Sequence, residues 1–441
     1  MNDQPQQPDD NPFKGTPFEQ LFGALGGQRG MPGQGFGQGF GQGPGQMPFD
    51  LSGLMSQMQS MMQPYDGPVH WDLAFDTARK VAAQKPDPTP SGNVQSAVAD
   101  AFRLADHWLD SATPLSSGVA RTAAWSRADW IDQTREVWQV LVTPVAESVI
   151  GAMGQAMPDE ARAMVGPLIG MIGKAGGAMF GSQIGQAVGG LAGEVLTASD
   201  IGLPLGPDGT AALVTDNVRE FAEGLDLAEH DVLLYLALRE AAHQRLFAGV
   251  PWLRSHLISA VADFGGALSI DTAGIEEVMR NLDPSNPGAI QEAMEGGLFE
   301  PKRSPAQEAA LTRLETTLAL VEGWVDEVVG QATAERMPAA ARMQEAIRRR
   351  RAAGGPAEET FSALVGLQLR PRRLRDASTL WGSLRSRQGA DGRDAVWAHP
   401  DLLPTAADLD DPLGFRDNMN DSGELSDEDF DRELGKLLDE G

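Results

Sequence analysis

Apolar positions in the central part of the chain recur at intervals of three and four residues. Runs rich in Ala, Leu, Glu and Arg alternate there with Pro, Gly and Asp. This spacing is typical of amphipathic helices, whereas the alternating β-branched runs that indicate strands are scarce. The pattern therefore predicts a mainly α-helical protein with little or no sheet. The predicted helices cover residues 94–110, 128–153, 158–198, 211–223, 227–247, 252–264, 306–329, 338–353 and 357–367.

Both ends of the chain lack this periodicity. Residues 1–66 are dominated by Gly, Gln, Pro and Met, and residues 401–441 hold fourteen acidic residues against three basic ones. Neither stretch carries enough apolar surface to offset the entropy lost on ordering. We therefore expect a disordered tail over 1–66, one helical domain over 67–400 and an acidic tail over 401–441. The start does not resemble a secretory signal, so we expect a cytoplasmic protein.

One predicted helix, at about 164–197, is marked by glycines. From Gly173 to Gly193 they recur at every fourth position. Such a ridge lets another helix approach closely, as in membrane helix pairs, but each glycine costs about 1 kcal/mol of helix stability relative to alanine. Residues 175–193 are uncharged, yet only five of them are large and apolar. We expect a buried, closely packed helix and no stable membrane insertion.

Composition narrows the possible chemistry. The chain of 441 residues has 62 acidic and 35 basic side chains, a formal net charge of −27, and no cysteine. Disulfides, thiolate-bound metals and thiol nucleophiles are therefore excluded. Segment 342–375 is locally basic, with nine arginines against three glutamates. It lacks interleaved aromatics for base stacking, so no nucleic-acid partner is expected, and the acidic tail is an equally good partner.

Three ionisable residues interrupt the apolar stripe of the helix over 227–247. They are Arg239, Glu240 and His243, and the five residues from 239 to 243 read R-E-A-A-H. This is a degenerate HExxH motif, with arginine in place of the first histidine. In an intact motif the two histidines bind zinc and the glutamate activates the metal-bound water. We expect the helix to begin at a capping box formed by Asp226 and Glu229.

A second pair of candidates lies on the helix over 306–329. Glu322 and Asp326 are four residues apart and share one helix face, so Glu322 could act as a third ligand with Asp326 orienting a ligand from behind. Arg239 has no lone pair for a metal and stays cationic. Its guanidinium could instead pair with Glu240 or Glu322. Taken singly, such pairs are also typical of ordinary salt-bridged helix faces.

The motif, with the residues that follow it up to 247, and four further stretches, 250–254, 320–323, 370–375 and 397–404, resemble a known family. They are similar to actinobacterial zincin-like hydrolases, a family of zinc-dependent metallopeptidases with some members associated with deazaflavin coenzyme biosynthesis. The resemblance covers about 71–404. It implies that His243 and Glu322 are zinc ligands, that Glu240 is the catalytic general base and that Asp326 supports the site. Arg239 departs from the family pattern and argues against zinc binding.

Two hypotheses follow for function. The first is a zincin-like, metallopeptidase-family hydrolase whose zinc site is degenerate. The alternative is a catalytically inactive pseudoenzyme that binds a peptide or protein in the former active-site cleft, between the helices over 227–247 and 306–329, with Arg239 as a carboxylate clamp. His230 and His256 lack the spacing to replace the missing ligand, and we expect both to face solvent or to be structural.

Overall fold

A computed structural model describes residues 65–155, 166–266, 305–352, 364 and 373–416. Over these residues the protein is mainly α-helical, with two short strands, as the spacing of apolar residues predicts. In chain order the elements are α1 Trp71–Ala82, α2 Gly92–Leu109, β1 Arg121–Trp125, α3 Arg127–Gln155, α4 Gly166–Ala192, β2 Thr210–Val214, α5 Thr215–Leu225, α6 Glu229–Gly249, α7 Leu253–Gly266, α8 Pro305–Thr333, α9 Ala340–Ala352, α10 Leu374–Asp394 and α11 Ala406–Asp410.

The two strands form a small parallel sheet. β1 pairs with β2 in a register that places Arg121 opposite Thr210 and Trp125 opposite Val214. The helix predicted over 211–223 is therefore wrong at its start, because β2 occupies its first residues and α5 begins only at Thr215. All five residues of β2 are buried. A short run that is apolar on every side has no periodicity, so its sequence does not distinguish strand from helix.

The glycine ridge of α4 packs against α1. A Cβ atom at Gly181 would lie 2.7 Å from the carbonyl oxygen of His70, and one at Gly189 would lie 2.6 Å from that of Ala78. The two backbones therefore touch where any larger residue would clash, which confirms the predicted close packing. The helix ends at Ala192, earlier than expected, and residues 158–165 of the prediction lie outside the described part. None of the described helices is long and apolar enough to cross a membrane.

Helix α6 lies at the centre of the fold. Every residue from Tyr235 to Phe247 is buried, so the helix is enclosed on all sides and does not present one apolar stripe. It packs against α2, α5, α8, α9 and β2. Its N-cap is Ala228, and Asp226 instead ends α5 with a φ of 52° in the left-handed region. The predicted capping box is therefore wrong, and the helix starts where the chain leaves the turn after α5.

The chain continues to pack on the body beyond residue 400. After α10, two short 3-10 turns, Ala395–Ala398 and Pro400–Leu402, lead into α11. Leu409 and Phe415 are buried, and Arg373 forms an ion pair of 2.7 Å with Asp410. The packed region therefore extends past the expected boundary at 400. Residues 1–64 and 417–441 of the two expected tails, like the helix predicted over 357–367 except for residue 364, lie outside the described residues.

Candidate functional site

Helices α6 and α8 bring Arg239, His243 and Glu322 together. Arg239 and His243 are four residues apart on α6, so both project toward the same part of α8. Arg239 Nη2 donates to Glu322 Oε2 at 2.7 Å, and His243 Nε2 lies 3.0 Å from Glu322 Oε1. All three side chains are buried. Of the two partners expected for Arg239, the structure selects Glu322.

The ring of His243 is held from both sides. Its Nδ1 lies 2.9 Å from the backbone carbonyl oxygen of Arg239, one helical turn earlier. Both ring nitrogens therefore face oxygen atoms, one of the Glu322 side chain and one of the helix backbone. The same orientation, with Nδ1–H on a carbonyl, is the one that directs Nε2 toward a metal in histidine-ligated sites.

Helix α9 adds three arginines to this cluster. Arg351 Nη2 donates to Glu322 Oε1 at 3.2 Å, and Arg350 Nη1 to Asp200 at 3.1 Å. Arg348 donates to Asp326 Oδ2 through both Nε and Nη2. Three of the nine arginines in the basic segment over 342–375 thus neutralise carboxylates of the same chain. The contribution of Asp200 and α9 could not be found from the sequence, because Asp200 and Glu322 are distant in sequence from Arg350 and Arg351 and only the packing of α9 brings them together.

The two carboxylate oxygens of Asp326 differ in their hydrogen bonds. Its Oδ2 accepts from Arg348, from Gln344 Nε2 at 3.0 Å and from Ser378 Oγ at 2.9 Å. Its Oδ1 has no hydrogen-bond partner. Arg239 lies on this side of Asp326, with its Nη1 3.9 Å from Oδ1 and likewise without a hydrogen-bond partner. A buried donor and a buried acceptor therefore face each other across a gap too wide for a direct hydrogen bond.

Glu240 points away from the arginines and is held by neutral donors. Its Oε2 accepts from the backbone N–H of Ser199 at 3.0 Å, and its Oε1 accepts from Gln244 Nε2 at 2.9 Å and from the Ser199 hydroxyl at 3.3 Å. Burial raises the pKa of Glu240, and the nearby His243 and the hydrogen bonds from Thr197, Gln244 and Ser199 only partly oppose this. Glu240 therefore retains its proton more readily than an exposed glutamate does.

The pKa of Glu322 moves in the opposite direction. Burial alone would raise it, but Arg351, His243 and Arg239 lower it to about 2. The pKa of Asp200 is also lowered, because Arg350 and Arg351 together outweigh its burial. Both carboxylates are therefore ionised at neutral pH, and their charge is balanced by arginines and not by solvent.

The loop between α4 and β2 covers the site. Gly202 has a φ of +77°, and a Cβ atom there would lie 3.0 Å from Glu322 Oε1. The same loop supplies Asp200 and Ser199, which contact the arginines and Glu240 respectively. A glycine is therefore required at position 202 both by backbone conformation and by the close approach to Glu322.

The donor set does not fit a three-ligand zinc ion. His243 Nε2 and Glu322 Oε1 are 3.0 Å apart, close to the roughly 3.3 Å expected for two tetrahedral zinc ligands. However, Arg239 and Arg351 already engage both oxygens of Glu322. Arg239, one helical turn before His243, is a cation that cannot donate a lone pair. Within the described ranges, no three His, Asp or Glu side chains are grouped to hold a metal.

Arg239, His243 and Glu322 are buried where α6 packs against α8. A cavity of about 610 Å³ borders Asp326, between α8, α9 and α10. His230 and His256 are both exposed, and His230 pairs with its neighbour Asp231 at 3.0 Å, as expected of residues outside the site.

Comparisons with known proteins agree with this architecture. The chain has the fold of a crystal structure described as a "putative hydrolase with a novel fold" from Chloroflexus aurantiacus, with a TM-score of 0.56 and 18% identity over 80% of this chain and 100% of that one. No curated protein sequence matches. The family model of the zincin-like metallopeptidases matches residues 69–415, which include α6, α8 and the buried cluster. The chain belongs to the family of zincin-like metallopeptidases.

Proposed function

We propose that this chain is a zincin-like hydrolase-family protein that has lost zinc-dependent hydrolysis and acts as a non-catalytic binding protein. The observation that supports this most directly is the buried pair of Arg239 and Glu322, with 2.7 Å between Nη2 and Oε2. In the family motif, position 239 would supply a histidine ligand. In this chain Arg239 supplies a positive charge in place of the metal. It pairs with Glu322, the glutamate that would otherwise bind the metal.

Electrostatics supports the same proposal. Glu322 already faces the cations Arg239 and Arg351 and the ring of His243. A zinc ion would add two positive charges to a buried site whose carboxylate is neutralised, in a medium where charge repulsion is strong. Binding would therefore require Arg239 to move out of a fully packed interior. Glu240 has no metal-bound water to activate in this arrangement and is a buried hydrogen-bond acceptor for the loop at Ser199.

The experiment restores the histidine. Arg239→His recreates an HExxH helix with Glu322 opposite, so the variant should bind about one zinc ion per chain when measured by elemental analysis. Arg239→Gln is the matched control, because it removes the charge without adding a ligand and should bind no zinc. Adding His243→Ala to Arg239→His should abolish zinc binding, since only two ligands then remain.

Two results would contradict the proposal. The first is stoichiometric zinc in the unmodified protein that disappears on His243→Ala, which would show that the site works despite Arg239. The second is a folded Arg239→His variant without zinc, which would show that the remaining residues are not the remnant of a zinc site. Peptidase activity assayed on the same samples tests whether Glu240 can still act as a general base once metal is present.

The partner of the site remains the peptide or protein expected for this family. Arg239 contacts the chain's own Glu322, so the carboxylate clamp that the sequence suggests is already occupied from within. A peptide would therefore bind without direct help from Arg239. The cytoplasmic location and the association of some relatives with a deazaflavin coenzyme also stay predictions, which cell fractionation and a search for copurifying ligands would test.

A further inference from the structure

Helix α9 carries arginines on two sides. Three of them, Arg348, Arg350 and Arg351, contact carboxylates of the site described above. Two others, Arg342 and Arg349, are exposed. They are seven residues apart, which is almost two helical turns, so they share one face of the helix. This outer face takes no part in the buried cluster.

Arg375, in the first turn of α10, joins Arg342 and Arg349 in a positively charged patch, which we call the arginine surface. Glu345 lies between them on α9 and accepts from Arg349 Nε at 2.8 Å and from Arg375 Nη2 at 3.0 Å. The hydrogen bond from Arg349 and the charge of Arg375 lower the pKa of Glu345. Arg342 donates to the backbone carbonyl oxygen of Leu225 at 2.6 Å, a bond that leaves its charge in place. One carboxylate therefore faces three arginines.

The described part of the chain ends near the arginine surface. On α10, Arg387 donates to the backbone carbonyl oxygen of Phe415 at 2.7 Å. Arg375 lies twelve residues earlier on the same helix, which corresponds to roughly 18 Å. Residues 417–441 therefore start roughly 18 Å from the arginine surface.

The charge and length of segment 417–441 match this position. It has ten acidic and two basic side chains, a net charge of −8. Five of the acidic residues lie between 427 and 433, and this run begins eleven residues after Arg416. Eleven residues span roughly 16 Å as an α-helix and about 36 Å when fully extended, a range that includes the required 18 Å. Residues 353–372 hold two acidic and two basic side chains and lack this complementarity.

We propose that segment 417–441 binds the arginine surface of its own chain through the acidic residues between 427 and 433. The whole chain has a formal net charge of −27, so most of it repels this segment and a positive patch attracts it. Tethering gives an effective concentration on the order of millimolar, so individually weak ion pairs suffice. An anionic partner would have to displace the segment to reach the same arginines. The inference goes beyond the proposed function and uses no residue of the buried cluster.

The test measures proximity in the full chain. Because the chain has no cysteine, Ser426→Cys and Thr379→Cys provide two specific positions for a donor and an acceptor dye. Thr379 is exposed and lies one helical turn after Arg375. Energy transfer is measured without further change and with Arg349→Gln and Arg375→Gln together. Arg103→Glu is the matched control, because it changes the net charge by the same amount at an exposed position on α2.

Without further change, we expect energy transfer at about 0.1 M salt to fall at least about twofold at about 1 M salt, because salt screens exposed charges. The double substitution should cause a similar fall at low salt, and Arg103→Glu should cause none. Amide substitutions at 427, 428, 429 and 431 should act as the double substitution does, and they replace it if it does not fold. The proposal is overturned if energy transfer does not respond to salt, or if the double substitution behaves as the control does.

Discussion

Glu240 and Glu322 are both completely buried carboxylates, on the two helices that form the site, yet they are held in opposite ways. Glu322 faces Arg239, Arg351 and His243, and its pKa is lowered to about 2. Glu240 faces the neutral donors of Ser199 and Gln244, and burial raises its pKa. Burial is the same in both places, so the charge on the donors decides the direction. The charge at Glu322 stabilises the fold, whereas Glu240 retains a proton more readily.

The largest predicted effect comes from removing the charge at Glu322. Glu322→Gln leaves the buried cations Arg239 and Arg351 without their shared counter-charge, and this should lower the free energy of unfolding by about 3–5 kcal/mol. Urea denaturation measures it. A loss no larger than that of Glu240→Gln would show that the two carboxylates do not differ as their donors suggest.

The pH dependence of stability should separate the same two residues. The pKa of Glu322 is about 2 in the folded protein and about 4.3 in the unfolded chain. The stabilisation that its negative charge provides is therefore fully present above about pH 4.3. It is lost as the pH falls from about 4.3 toward 2. The loss should amount to roughly 3 kcal/mol. For Glu240 the raised folded pKa reverses the sign, and stability is lost as pH rises from about 4.3 through the folded pKa.

Unfolding free energies of the unmodified protein and both glutamine variants, measured across pH, provide the test. Glu322→Gln should remove most of the loss of stability that occurs as the pH falls below about 4.3. Glu240→Gln should remove the loss of stability that occurs as the pH rises. Identical pH profiles for the two variants would be inconsistent with opposite pKa shifts.

A smaller effect is expected at the loop that covers Glu322. Gly202→Ala should cost about 1–3 kcal/mol, because the added Cβ combines a strained backbone with contact to Glu322. Gly67 is the matched control: its φ is also positive, at +92°, but no atom lies near its Cβ position. The difference between Gly202→Ala and Gly67→Ala in thermal unfolding therefore reports the contact alone. If the two cost the same, the loop does not press on Glu322.

The smallest effect is expected at Glu240. Glu240→Gln should change the free energy of unfolding at neutral pH by no more than about 1 kcal/mol, because an amide replaces a carboxyl that has only neutral donors and is easily protonated. Glu240→Ala is the useful contrast, since it leaves the backbone N–H of Ser199 unpaired. A large loss of unfolding free energy in Glu240→Gln would indicate that the negative charge of Glu240 itself stabilises the fold.

The spacing of residues predicted more of this arrangement than composition did. The four-residue separations of Arg239 from His243 and of Glu322 from Asp326 predict shared helix faces, and the structure brings the two faces together. The four-residue spacing of the glycines likewise predicts that another part of the chain packs closely on α4, and α1 does so. The involvement of Arg348, Arg350 and Arg351 could not be predicted, because their partners are distant in sequence and are brought near only by the packing of α9. The roles of Glu240 as general base and of His243 and Glu322 as zinc ligands stay predictions.

The contact between α4 and the start of the described chain has a practical consequence for fragments of this protein. The backbone at Gly177 is covered by Tyr65 and Pro68, ahead of the first residue of α1. A shortened chain cut at the beginning of α1 would keep all of the helices described above but uncover part of the glycine-lined groove. We expect such fragments to aggregate or to be cut by proteases near α4, so a stable fragment should begin before Tyr65.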